Sequence, residues 1–397
     1  MQRRRGLSGI PNLGQLWPAL LLATLLLAPL AVRGEDTTRL DCDDRPTFLD
    51  PPWVDGDRFC AELVYQSPRN EALALASLAV APDGTLYAAS PLRGEVWALR
   101  DSDDDRLPDR AQRLLSGLSQ PTGMDWHDGA LYILSRAGIL RLPAGAPDAR
   151  QVAADLPLQA GQAGGDLVVG ADGTLYASLV AACSQCEPGD GPSILAISPD
   201  GSRQSVLARG LRRPAGLALR HGELWATDSI GRADAAQGDA LDEINRIQAD
   251  AHYGWPWCSG SLRLPLSSAT SGCEKFLAPA LSLPTGSTPL GLAHYDHDAL
   301  PDLRDSLLVT LHGSRHRVEL RGYALAVIRF DAQGQPRAPE VIIPQQPGGN
   351  SFSVSKMNYL GAGFWPERPL DLAISPEGWI YVSVTGGRIL ALRQAAR

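Results

Sequence analysis

The stretch Ala171-Asp172-Gly173-Thr174-Leu175-Tyr176 decides how the chain is read, because it is one copy of a phrase that keeps returning. Pro82-Asp83-Gly84-Thr85-Leu86-Tyr87 and His127-Asp128-Gly129-Ala130-Leu131-Tyr132 precede it; His221-Gly222-Glu223-Leu224-Trp225 and Pro376-Glu377-Gly378-Trp379-Ile380-Tyr381 follow it. In each copy the glycine supplies the positive φ of a tight hairpin, and the alternation after it makes a strand with one buried face. Glycines 84, 129, 173 and 222 are spaced by 45, 44 and 49 residues, the length of a four-stranded propeller blade. Between Gly222 and Gly378 there is room for one more blade, marked by Asp305-Ser306-Leu307-Leu308-Val309-Thr310, and for two long insertions at about 229–285 and 336–365. Insertions of that size on a rigid repeat scaffold usually build a binding face. The expectation is an all-β fold, a six-bladed β-propeller with long inter-blade insertions. With 40 Gly and 31 Pro the chain sustains no long 3.6-residue apolar period beyond its first segment, and a β-sandwich leaves the blade-length repeat unexplained.

The chain opens with Arg3, Arg4 and Arg5, then an apolar run from Leu16 to Val32, then Val32-Arg33-Gly34 near a plausible cleavage point. This reads as a signal peptide over 1–34; the rival reading is an uncleaved membrane anchor, since the run is almost long enough to span a bilayer. Export implies a periplasmic or secreted protein. The six cysteines form three sequence-local pairs suited to an oxidising compartment: Cys42 with Cys60, Cys183 with Cys186, and Cys258 with Cys273. The first pair would staple an N-terminal segment, 35–60, onto a propeller spanning 61–397. Cys183-Ser184-Gln185-Cys186 has the spacing of a redox or zinc half-site, but no second pair lies at zinc-finger distance, and a structural disulfide is the simpler reading. Loss of the leader, with four arginines and no acid, would take the formal charge from −8 to −12. A surface that acidic repels phosphate backbones, which argues against nucleic acid as a partner.

The most specific stretch is Gly210-Leu211-Arg212-Arg213-Pro214-Ala215-Gly216-Leu217-Ala218, followed by Glu223-Leu224-Trp225-Ala226-Thr227-Asp228, Asp242-Glu243-Ile244-Asn245 and His252-Tyr253-Gly254-Trp255-Pro256-Trp257-Cys258. Leu311-His312-Gly313-Ser314-Arg315, leading to Gly322-Tyr323, and Arg368-Pro369-Leu370-Asp371-Leu372-Ala373 complete the series. In order and spacing these motifs resemble the glucose/sorbosone dehydrogenase family of quinoprotein propellers, over about residues 58–395. The resemblance implies a dehydrogenase of sugars or aldehydes that uses pyrroloquinoline quinone (PQQ) with Ca²⁺ near the propeller axis, and a periplasmic electron acceptor. A tricarboxylate quinone calls for arginine forks, and a hydroxyl that loses hydride from its carbon calls for a base. By position in the family motifs, Arg212 and Arg368 are the candidate quinone contacts, with Arg213 standing where the family carries Asn.

The sequence departs from the family pattern where the base should be. Gln162-Ala163-Gly164-Gly165-Asp166-Leu167 puts Gln162 at the usual position of the catalytic His, and a Gln amide accepts no proton at neutral pH. Leu179-Val180 likewise replaces a polar pair expected after the next strand. His312 is the candidate substitute base, with a structural role in the Gly313-Ser314 turn as the alternative. The three nearby histidines His294, His297 and His316 match no metal-ligand spacing. Two acidic stretches are candidate calcium sites. Asp101, Asp103, Asp105 and Asp109 alternate as in a calcium loop, although Arg106 and Gln112 exclude an EF-hand. Asp228, Asp239 and Asp242, with Asp234 and Glu243 between and beside them, lie in the segment that bears calcium in the family. A second function class stays open: an exported propeller that binds a carbohydrate, cofactor or protein without turnover.

Overall fold

The computed structural model describes residues 54, 58–67, 75–103, 108, 110–158, 162–181, 191–230, 241–264, 272–314, 321–344 and 367–395. The chain divides into two units, Met1–Thr37 and Thr38–Arg397. The first, with the expected signal peptide, lies outside the described residues, as do Cys42, Cys183, Cys186, Asp105, Asp109, Asp234, Asp239 and His316.

The second unit is the expected propeller. Strand β1 (Phe59–Gln66) is set aside for the last blade. Blade 1 holds β2 (Ser77–Val80), β3 (Leu86–Ser90), β4 (Glu95–Arg100) and β5 (Arg110–Leu115); blade 2 holds β6 (Gly123–His127), β7 (Ala130–Ser135), β8 (Gly138–Pro143) and β9 (Arg150–Ala153). Blade 3 holds β10 (Ala163–Val169), β11 (Leu175–Val180), β12 (Pro192–Ile197) and β13 (Gln204–Arg209). Blade 4 is built from β14 (Leu217–Arg220), β15 (Glu223–Asp228) and β16 (Asp242–Arg246). An excursion follows, with the short strands β17 (Ala251–His252), β18 (Cys258–Ser259) and β19 (Leu262–Arg263), before β20 (Leu281–Leu283) completes the blade. Blade 5 holds β21 (Pro289–Tyr295), β22 (Ser306–Leu311), β23 (Ala324–Ile328) and β24 (Glu340–Ile343). Blade 6 takes β25 (Pro369–Ile374), β26 (Ile380–Val384) and β27 (Arg388–Gln394) from the end of the chain and β1 from near its start.

The turn glycines sit where the repeat puts them, between the first and second strands of five blades, with φ of 83°, 68°, 82°, 79° and 82° at Gly84, Gly129, Gly173, Gly222 and Gly378. In blade 1 burial falls toward the outer edge, with all five residues of β3 buried and four of the six in β5 exposed, and β9 and β13 of blades 2 and 3 are likewise partly exposed, whereas the outer strand β24 of blade 5 is mostly buried. The apolar core therefore lies between blades. One cluster joins each neighbouring pair, for example Leu134 and Ile139 of blade 2 with Leu167 and Leu175 of blade 3. A further cluster joins blade 6 to blade 1 through Tyr381, Ile389, Leu78 and Leu86, so the ring is closed.

Two boundaries differ from the sequence reading. The stretches read as inter-blade insertions contain the blade strands β16, β20 and β24, so much of the extra length lies within blade 4 instead of between blades. The alternation there is carried by only three to five residues per strand, too few to stand out between long loops. β1 begins at Phe59, so the propeller also starts slightly before the expected boundary at residue 61.

The excursion after β16 folds back onto blade 3. β17 pairs in parallel with β13, joining Ala208 to Ala251 and Arg209 to His252. The Trp255 N–H donates to the Gly210 carbonyl at 2.9 Å, and the Cys258–Cys273 disulfide anticipated from the sequence ties the excursion together. His252, Trp257 and Phe276 pack as a triangle of rings, with centroids 5.5, 4.8 and 5.9 Å apart. The excursion thus braces the Gly210-Leu211-Arg212 loop from outside.

Candidate active site in the axial cavity

The first residues of the inner strands, with the loops that lead into them, enclose a cavity of about 370 Å³ to which all six blades contribute. Ala76 comes from blade 1, Thr122 from blade 2, Gly164, Gly165 and Asp166 from blade 3, Arg212, Arg213 and Ala215 from blade 4, Leu290 from blade 5, and Leu370 and Asp371 from blade 6. The volume is that of a small-molecule site.

The rim is held by a repeated hydroxyl relay. Strands β10, β21 and β25 each start with a β-bulge, which leaves a backbone N–H unpaired within its own blade. A Ser or Thr of the second strand takes it up: Asp166 N–H donates to Ser178 Oγ at 2.7 Å, Gly291 N–H to Thr310 Oγ1 at 2.8 Å, and Asp371 N–H to Ser383 Oγ at 3.1 Å. In blade 4 the Gly216 N–H does the same with Thr227 Oγ1 at 2.9 Å. Three of these hydroxyls pass their own proton to the next blade: Ser178 to the Pro214 carbonyl (2.6 Å), Thr227 to Leu290 (3.0 Å) and Thr310 to Leu370 (2.9 Å). Glycine permits the close approach. A Cβ on Gly291 would lie 2.4 Å from Asp371 Oδ1.

Carboxylates staple the blades in the same way. Asp125 Oδ2 accepts from Val169 N–H (2.7 Å), Asp166 Oδ2 from Leu217 N–H (2.8 Å) and Asp371 Oδ2 from Leu78 N–H (2.7 Å), each partner being on the next inner strand. Burial raises the carboxyl pKa to about 7 for Asp125 and Asp371, against the opposing effect of these hydrogen bonds. For Asp166 burial again comes first, and the neighbouring charges of Asp371 and Asp125 push the same way. None of the three was singled out from the sequence, although Asp166 and Asp371 each stand seven residues before a turn glycine, Gly173 and Gly378, which was a usable signal.

Arg212, a candidate quinone contact by its motif position, lines the cavity. Its Nη1 donates to the Ser229 carbonyl at 2.7 Å, while the buried Nε has no hydrogen-bond partner among the described residues. Burial lowers its pKa, and the charges of Asp228 and Asp242 oppose that shift. Arg213 lines the same cavity and is exposed. Arg368 is placed differently: its guanidinium donates to the His312 carbonyl at 2.9 Å and to the Gly313 carbonyl, and lies 4.9 Å from the Tyr323 ring. It clamps the turn after β22 and is not among the residues that line the cavity. His312 Nδ1 lies 3.0 Å from the Pro369 carbonyl, a pairing in which that nitrogen carries the proton. Gln162 is buried, and its amide donates to the Pro192 carbonyl at 3.5 Å; neither it nor His312 lines the cavity.

The carboxylates predicted for calcium act on the backbone. Asp228 accepts Arg212 N–H on Oδ2 (3.0 Å) and Arg213 N–H on Oδ1 (2.6 Å), which fixes the arginine loop. Asp242 accepts Ile230 N–H on one oxygen and the N–H groups of Gly286 and Thr288 on the other. Their donor set does not fit a calcium cage, because each oxygen already takes an N–H and no third carboxylate converges on them among the described residues. Asp101 accepts the Asp103 N–H at 3.1 Å in a solvent-exposed turn.

The described residues thus form a closed six-bladed propeller whose axial cavity is lined in part by Arg212 and Arg213. The family model for Glucose / Sorbosone dehydrogenase matches residues 144–335, a little under half of the chain, so that this segment is similar to the glucose/sorbosone dehydrogenase family. No curated protein matches the chain. Among solved structures, the calcium structure of a Trichoderma reesei carbohydrate-active enzyme of family AA12 is similar, with a TM-score of 0.69 and 16% identity over 89% of this chain and 99% of that one. The holo PQQ domain of a pyranose dehydrogenase from Coprinopsis cinerea gives 0.65 and 15% over 89% and 99%. The PQQ-bound aldose sugar dehydrogenase of Streptomyces coelicolor gives 0.54 and 21% over 87% and 100%.

Proposed function

We propose that the axial cavity binds PQQ and that the protein is an oxidoreductase acting on a sugar or aldehyde. The observation that carries this reading is Arg212: it lines a cavity of small-molecule size, and its guanidinium still has a buried Nε without a hydrogen-bond partner among the described residues, which fits an acidic ligand. When bound there, the quinone supplies the acceptor for hydride and electrons. The chain's own part is to hold and to deprotonate. Arg212, with its backbone locked by Asp228 and its Nη1 by Ser229, offers a fixed donor; Arg213 adds positive charge beside it. Gln162 takes up no proton, so the reading assigns the proton acceptor to Asp371, whose carboxyl is lifted to about 7 by burial and lines the cavity. Calcium is left as a variable of the test, since Asp228 and Asp242 do not fit it. Export to an oxidising compartment and onward transfer of electrons to an acceptor there belong to the same proposal, supported by the Cys258–Cys273 disulfide and by Cys60 being disulfide-bonded.

A second reading, binding without turnover, is favoured by Gln162 standing where the family carries its base. Calorimetry of the purified protein with PQQ, with and without Ca²⁺, followed by dye reduction with an aldose panel, separates the two. The proposal expects binding that Arg212→Ala weakens by about 10- to 100-fold, the worth of about 1.5–3 kcal/mol for a hydrogen bond to a charged group. Heat without dye reduction supports the second reading, and no heat removes both as they concern PQQ.

A further inference from the structure

Away from the cavity, two adjacent blades bring together a group that the sequence hid. His221 occupies the hairpin between β14 and β15 of blade 4; His294 lies near the end of β21, and Asp305 precedes β22 in blade 5. Strand β21 runs from Leu290 at the cavity to His294, about 13 Å farther along at ~3.3 Å per residue, so the group sits at the other end of the inner strands. His221 Nε2 is 2.8 Å and His294 Nε2 3.2 Å from the same atom, Asp305 Oδ1. All three ligand-type atoms lie within 4.8 Å of one another.

We infer that His221, His294 and Asp305 form a binding site for a divalent transition ion of the zinc class, bridging blades 4 and 5. The geometry is near what such an ion needs. Ligand atoms about 2.0–2.1 Å from a tetrahedral centre stand about 3.3 Å apart, so small adjustments of side chains already gathered around one point would seat it. Two imidazoles and a carboxylate are a donor set for zinc, cobalt or iron(II), and not for calcium or magnesium. The carboxylate is also oriented from behind: Arg220 Nη2 donates to Asp305 Oδ2 at 2.7 Å, and its guanidinium lies over the Phe330 ring at 3.8 Å. This leaves Oδ1 as the oxygen presented to both histidines, the kind of outer support that metal ligands carry. The His221 and Asp305 side chains are 56% and 45% exposed, which gives an ion its entry and leaves the fourth position to water. On binding, each neutral imidazole would give its Nε2 lone pair to the metal, its proton moving through solvent from Nε2, where it now bonds Asp305, to Nδ1, so the two hydrogen bonds to Asp305 are exchanged for coordination.

The inference does not depend on the quinone reading. Its test is titration of the chelator-treated full-length protein with Co²⁺ at neutral pH. The expected result is the intense visible spectrum of a four- or five-coordinate cobalt site, saturating at about one ion per chain and bleached by Zn²⁺. His221→Asn is the sharpest variant, because Asn tolerates the left-handed backbone at this position, φ 50°, and the hairpin keeps its turn. It should weaken binding by about 10- to 100-fold or more, as should His294→Gln. The proposal fails if cobalt gives only the pale spectrum of the hydrated ion, or if the visible band survives unchanged in both variants.

Discussion

At the scale of single residues, Thr227 shows how much of the rim rests on one hydroxyl. It accepts from the Gly216 N–H and donates to the Leu290 carbonyl of the next blade, and it is fully buried. Thr227→Val keeps the shape but leaves a donor and an acceptor unpaired, which should cost about 2–6 kcal/mol at about 1–3 kcal/mol per unsatisfied group. Urea unfolding of the variant measures this; an unchanged midpoint would mean that water or a shifted strand replaces the relay. The residue scale is also where the sequence was least explicit. The turn glycines and Arg212 could be read locally, because a positive φ or a motif position is a local property. Asp166 and Asp371 could be located by their spacing from the turn glycines, but their role could not be read, because it comes from the backbone of a neighbouring blade. His221 and His294 are separated by the whole of blade 4's excursion, so no spacing rule links them.

At the scale of elements, the closing strand β1 carries the clearest consequence. It pairs antiparallel with β27, and Glu62, with no exposure, meets Arg393 across that pairing: Arg393 Nη2 and Nε donate to Glu62 Oε1 at 2.7 and 3.0 Å. Removing one partner strands the other charge in the interior, so Glu62→Ala should lose about 3–5 kcal/mol of stability in a denaturant melt. The double variant Glu62→Met/Arg393→Leu should recover most of that loss, since an apolar pair needs no desolvation. A single variant as stable as the parent would show that closure of the ring does not depend on this pair. The blade repeat was legible because a hairpin signals itself within six residues. Closure was not, because the partner of β27 lies at the other end of the chain. For the same reason β16, β20 and β24 were absorbed into supposed insertions: a strand of three to five residues is recognisable only once the blade beside it is known.

At the scale of the whole molecule, the propeller buries an unusual set of acids around its axis, and this fixes how stability should vary with pH. Besides Asp125 and Asp371 at about 7, burial raises Asp228 and Asp242 to about 6 and Glu243 to about 8. An acid whose folded pKa is raised binds its proton more tightly in the folded chain than in the unfolded one. Its stabilising contribution is therefore complete below the ordinary carboxyl value, about 4, and is lost as pH climbs through the folded value. The acids with lowered pKa, Asp172, Asp200 and Asp305, act below that range. His294, lowered by burial, works the other way and costs stability as pH falls through about 6.5, but it is one group against several. Thermal melts should then show a higher Tm near pH 5 than near pH 8, with a change on the order of 2 kcal/mol for each strongly shifted acid. Asp371→Asn cannot ionise, so it should flatten the slope while leaving the other acids to titrate. A parent Tm that rises with pH over this window would mean that water reaches these carboxylates, and with it the case for Asp371 as a near-neutral proton acceptor in the cavity would fall.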